Sequence, residues 1–162
     1  MDGIERRSFL KKAAAAGGAV AAAGLAGAEQ GKPAPGIKLL STEAAPKAIG
    51  PYAQGVEAGG FVFASGQVPI DPAKGELVTS SFDAAVERVL DNLEAVLKAA
   101  GLGFSDVVKT TVFLTKADDF APMNAIYGKR MGDHKPARST VIVAALPRNA
   151  PLEMDMIAKT RG

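Results

Sequence analysis

The sequence predicts an α+β subunit, a mostly antiparallel sheet of about six strands with two helices on one face. Three observations carry this. Short β-branched runs bounded by Gly and Pro recur along the chain, one long segment places apolar residues every three and four positions, and a shorter one does so later. The resulting order is three strands, a helix, a strand, a helix and two strands. Two helices cover only one face of such a sheet, so the other face is either solvated or buried in an oligomer.

The first strands are expected at Ile37–Leu40, Tyr52–Val56 and Phe61–Ala64, the last two joined by Gly59-Gly60, which suits a tight hairpin turn. Asp71, Pro72 and Gly75 supply turn chemistry ahead of the strongest helix signal. That helix spans about 81–100, with one apolar stripe from Phe82 through Val89, Leu93 and Leu97 to Ala100. Ser80 or Ser81 caps its start and Gly101 supplies its stop. Glu87, Arg88, Asp91, Glu94 and Lys98 read as a solvated face. VVKTTVFL at 107–114 is a strand by its alternation and β-branched content. Asp118 or Asp119 starts the second helix, which carries Phe120, Met123 and Tyr127 on one face and weakens at Gly128 and Gly132. The last strands fall at 139–146 and 152–158, across PRNAP, and read as a hairpin.

Ahead of this domain the composition changes. Residues 13–28 carry no charge, and Arg6, Arg7, Lys11 and Lys12 stand just before them. A basic stretch, a weakly apolar Ala/Gly run and a small-residue end describe a secretory signal, and ERRSFLKK resembles the twin-arginine motif. The expectation is a signal over 1–28, a Pro/Gly-rich linker over 29–36 and one domain over 37–162, in a protein that is periplasmic or secreted. Of 19 Lys and Arg and 17 Asp and Glu, removal of the signal takes four and two, leaving 15 of each. A neutral mature chain lacks the basic footprint of nucleic-acid binding. The Ala/Gly run is also too short and too weakly apolar for a permanent membrane span. With no Cys and one His, thiolate metal sites, multi-His metal sites and Cys nucleophiles are excluded.

Chemistry must then use carboxylates, Arg, Lys, hydroxyls or backbone. Arg138 heads an apolar strand and either pairs with a surface carboxylate or presents its two-pronged guanidinium to a small carboxylate ligand. Glu153 and Asp155 point the same way from the last strand, so that face is either wet or a site. A simple hairpin would leave Arg138 and Glu153 six residues out of register, about 20 Å. They meet only if the two strands are not simple neighbours, or if two subunits contribute. In IGPYAQG and ASGQVPIDP, Gly50-Pro51 and Gly66 mark strand edges and bulges, while Tyr52 and Ser65 are placed to line a rim. His134 reads as a loop surface residue.

Taken together, IGPYAQGV, FASGQVPIDPAKGE, DNLEAVLKAAGLGFSDVVKTTVFL, DDFAPMNAIY, PARSTVIVAALP and LEMDMIA resemble the Rid family (the YjgF type) in order and spacing, from about Leu40 to Ala158. The resemblance implies a chorismate-mutase-like subunit that forms a homotrimer with a barrel-like centre and sites in the clefts between subunits. It also implies hydrolysis of enamines and imines of 2-keto acids to the keto acid and ammonia, with no cofactor and no metal. By motif, Arg138 corresponds to the arginine that binds the substrate carboxylate, and Glu153 to the carboxylate associated with the catalytic water. Tyr52, Ser65 and Asn124 match pocket residues. Thr140 joins them where the family pattern has a Cys. The stretch YGKRMGDHKPARS looks about three residues short and lacks the usual aromatic pair, which leaves substrate range open. The implied partners are small 2-imino and 2-keto acids, further copies of the chain and the twin-arginine export machinery. Two alternatives stand beside the deaminase: a non-catalytic trimer that binds small carboxylates or partner proteins, and an endoribonuclease.

Overall fold

The computed structural model describes residues 33–162, so the signal and the first half of the linker lie outside the described residues. Six strands form the main sheet: β1 (Ile37–Leu40), β2 (Gly55–Ala58), β3 (Phe61–Gln67), β6 (Val107–Leu114), β7 (Ala137–Ile142) and β8 (Leu152–Lys159). Their spatial order is β1-β2-β3-β8-β6-β7, and every pairing is antiparallel except β6 with β7. A two-stranded ribbon, β4 (Ile70–Asp71) and β5 (Glu76–Leu77), forms around the DPAKGE turn. Helices α1 (Phe82–Lys98) and α2 (Phe120–Met131) share one face of the sheet.

The stripe expected on α1 is the centre of the core. Val86, Val89, Leu90, Leu93, Val96 and Leu97 are fully buried against Val62, Val112, Leu152, Met154 and Met156. Ser81 caps the helix by accepting from the Ala84 amide at 3.0 Å. Helix α2 differs from expectation at both ends. Asp119 holds the cap position but its side chain caps nothing, and the helix runs unbroken through Gly128 to stop at Gly132 (φ 61°). Nor do all the α1 charges simply face water. Glu87, Asp91 and Glu94 converge on Arg130 of α2 at 2.6, 2.9 and 3.3 Å, tying the two helices together.

Two further expectations need correction. Strand β2 starts three residues late because residues 42–53 stay irregular, held by the buried Gln54 side chain. Its amide donates to the carbonyls of Thr42, Ala45 and Pro46, and its oxygen accepts from the Thr42 amide. More important for the site, β7 and β8 are not a hairpin. A strand, a helix and a strand in succession bring β7 up parallel beside β6, as a crossover connection requires. Strand β8, buried along Leu152, Met154, Met156 and Ala158, then inserts between β3 and β6, where both its edges are paired. The face away from the helices exposes Leu39, Phe63 and Val141.

Candidate functional site

The six predicted residues fall into two groups. On the open face, β3 is irregular between Ala64 and Gln67, so Ser65-Gly66 bulges against β8. The Glu153 carboxylate lies directly over Gly66. A Cβ there would collide with a Glu153 carboxyl oxygen and would sit 3.0 Å from its Cδ, so only glycine leaves room. Tyr52, Ser65, Gly66 and Glu153 line one cavity of about 390 Å³, walled by Ile49, Val68 and Pro147. Ser65 Oγ donates to the Ala53 carbonyl at 2.7 Å, and Tyr52 Oη accepts from the Ile49 amide at 3.3 Å. No described residue hydrogen-bonds Glu153. Burial, and secondarily the negative charge of Asp155, push its carboxyl above the usual carboxylate range. An unpartnered carboxylate raised toward neutrality is suited to take and return a proton.

The second group lies at the β7 edge, on the helix side. Arg138 stacks on the Tyr127 ring, 4.7 Å from its centroid, and donates to Asn124 Oδ1 at 2.6 Å. Tyr127 is fixed in turn by its hydroxyl, 3.0 Å from the buried Thr110 Oγ1. The guanidinium is therefore braced from below and from one side, with donors left over for a ligand in the adjoining cleft of about 500 Å³. Thr140 lies two residues further along β7 and is not part of that cleft's wall.

Register explains the division. Arg138 pairs with Thr110 and Glu153 with Phe113, three positions apart on β6. Side chains on a strand alternate faces, so an odd offset puts the two on opposite sides of the sheet. The hairpin separation of six residues is thus replaced by a separation through the sheet. Sequence reasoning reads Gly66 only as a bulge marker and Tyr127 only as part of one face of the second helix, and misses the tasks of both. The spacing of Tyr127, three residues after Asn124, was the available signal, since the two share a helix face. His134 also departs from its reading as a surface residue: it is half-buried, lines the Arg138 cleft, and its Nε2 lies 2.6 Å from the Val107 carbonyl. Among the described residues no cluster of His, Asp or Glu could hold a metal ion, and no helix is long and apolar enough to cross a membrane.

The family model for endoribonuclease L-PSP matches residues 42–160, which takes in both groups. The chain belongs to this family. A solved structure of a conserved Rid family protein, YyfA from Yersinia pestis, superposes on the L-PSP domain with a TM-score of 0.74 at 42% identity, covering 76% of this chain and 99% of that one. The chain is 46% identical over 127 residues to the 2-iminobutanoate/2-iminopropanoate deaminase of Escherichia coli, covering 76% of this chain and 98% of that one. It is 45% identical over 125 residues to AldR of Lactococcus lactis, named as a proposed regulator, covering 77% and 99%. The α+β fold with its mostly antiparallel sheet is that of the YjgF-type proteins, as the expectation had it.

Proposed function

We propose that this L-PSP family protein hydrolyses reactive 2-imino acids to 2-keto acids and ammonia, in a centre that takes Arg138 and Asn124 from one copy and Glu153, Tyr52 and Ser65 from another. The observation that carries it is the Glu153 carboxylate, unpartnered, half-buried and held over Gly66 in a cavity open to a ligand. Arg138 holds the substrate carboxylate by its free donors. Glu153 takes a proton from water as the oxygen bonds to C2. That proton passes to the nitrogen, giving an amino group beside the new C2 hydroxyl. The hydroxyl then yields its proton to the nitrogen through Glu153 as the C=O bond forms and the C–N bond breaks, its electron pair leaving with ammonia. An imine is already electrophilic, so orientation and one proton relay supply most of the acceleration.

The apolar open face, with Leu39, Phe63 and Val141, favours burial against further copies, and a homotrimer with three equivalent heterologous contacts completes three such centres. Export by the N-terminal twin-arginine segment belongs to the same proposal. Ammonia release from 2-iminopropanoate and 2-iminobutanoate, generated in situ, tests the activity. Arg138→Ala and Glu153→Gln should each be inactive alone. Refolded together in equal amounts they should recover about a quarter of wild-type turnover, because one site in four then draws both intact residues from different copies. No recovery from the mixture would overturn the two-copy centre, and no turnover by the wild type would overturn the deaminase. The regulatory name of one relative favours a second reading, carboxylate binding without turnover. Keto-acid binding without any ammonia release would select it.

A further inference from the structure

The proposed reaction needs one cation for one carboxylate, yet the cleft before Arg138 holds more positive charge than that. Its wall carries Arg138 and Lys135 and no carboxylate. Lys135 is exposed and makes no ion pair with a described residue. Desolvated clefts of one sign concentrate ligands of the other sign, and an unpaired cation facing the same space as the Arg138 fork calls for a second negative charge.

The shape of the cleft agrees. Gly128 and Gly132, one helical turn apart, both line it, and a Cβ at either would meet no atom within 4 Å. The floor is therefore bare where side chains would otherwise stand. Met131 and Tyr127 supply an apolar surface along it. About 500 Å³ is far more than a three- or four-carbon acid fills. Lys135 stands three residues before Arg138, in the irregular stretch ahead of β7 where strand alternation does not fix the face of a side chain, and both residues line the one cleft. A long, flexible Lys135 side chain there is placed to meet a second carboxylate on a ligand that Arg138 holds by the first.

We propose that the favoured substrate is the imine of a dicarboxylic 2-keto acid of four or five carbons, its first carboxylate on the Arg138 fork and its distal carboxylate on Lys135. This rests on the reading of Arg138 as the carboxylate anchor and adds the substrate class.

The test is calorimetric titration of the full-length chain with 2-oxoglutarate and with 2-oxobutanoate at low salt. Wild-type protein should prefer the diacid by about fivefold, near the upper limit for one exposed ion pair, and salt at about 1 M should erase the preference. Lys135→Ala should bring the ratio close to one. Lys129→Ala, which removes the same charge from the exposed side of α2, should keep the wild-type ratio. The kcat/KM values for the two corresponding imines should follow the same pattern. A wild-type ratio of one, or a diacid preference that survives Lys135→Ala, overturns the substrate class while leaving the anchor in place. If neither acid binds, or if Arg138→Ala weakens neither, the anchor reading itself falls and the dicarboxylate assignment falls with it.

Discussion

One methyl group added at Gly66 is expected to remove turnover while leaving most of the stability. In Gly66→Ala the new Cβ lies 3.0 Å from Glu153 Cδ, 3.3 Å from its Cγ and closer still to a carboxyl oxygen. All three nearest atoms belong to one side chain, so relief comes from Glu153 swinging away. Glu153 is half-buried and gives up no hydrogen bond in moving, which puts the destabilisation at the low end for overpacking, about 1 kcal/mol. Turnover is more sensitive, since misplacing a reacting group by about 1 Å can cost about 100-fold. A double-mutant cycle separates the two effects. Removing the obstructing side chain in Gly66→Ala/Glu153→Ala should recover the stability lost to the methyl group but no turnover. Urea unfolding and ammonia release from 2-iminobutanoate provide the readouts. Gly66→Ala with more than about half of wild-type turnover, or an equal stability loss in the Glu153→Ala background, would refute the contact as the reason for glycine.

Arg138→Lys keeps the charge but not the planar fork, and keto-acid affinity by calorimetry should fall about 10-fold or more, with Arg138→Ala losing further; equal affinity for Lys and Arg would argue against two-point binding. Tyr127→Phe keeps the ring beneath Arg138 but strands the buried Thr110 hydroxyl, so urea unfolding should register a loss of about 1–2 kcal/mol; no loss would mean Thr110 has another partner. Arg130→Ala removes the bond between the helices and leaves Glu87, Asp91 and Glu94 repelling one another, so Tm should drop and partly recover in high salt; a drop indifferent to salt would point to lost packing on Phe104 instead. For Glu153, burial and then Asp155 raise the carboxyl pKa, so folding favours its protonated form and native stability falls as pH rises through that raised value. Glu153→Gln should therefore stabilise the protein near pH 7, with the gain vanishing as pH falls toward the unfolded carboxyl value of about 4.3; a gain unchanged at acid pH would show that charge is not its cause.

Local rules carried the sequence reading where local rules decide the structure. The α1 stripe, its Ser81 cap and the Gly59-Gly60 turn each follow from a few adjacent residues, and each is found in place. The errors fall where distant residues decide. Tyr52–Val56 was a fair β signal, but Gln54 spends its side chain on the carbonyls of Thr42, Ala45 and Pro46 and keeps the preceding residues in a loop. Likewise, the charges of α1 are a solvated face until α2 supplies Arg130, a contact across 36 to 43 residues that no helical periodicity records. The identities of the site residues came from motifs, while their grouping needed the strand order.

That grouping is fixed by the core rather than by the site. Sliding β8 by one residue against β6 would carry Glu153 to the face of Arg138. The same slip would turn Leu152, Met154 and Met156 out of the interior beneath α1, at about 1.5–3 kcal/mol for each side chain. β7 is under less restraint, because only its Arg138 and Thr140 are even half covered. Its register is set instead by the parallel ladder from Lys109–Ala137 to Leu114–Ile142, with the Arg138–Tyr127–Thr110 stack inside it. Neither strand can shift to unite anchor and base without losing what holds it. The proposed centre therefore draws the two residues from two copies, and a chain held as a monomer by charges placed at Phe63 and Val141 should bind keto acids through Arg138 yet release no ammonia.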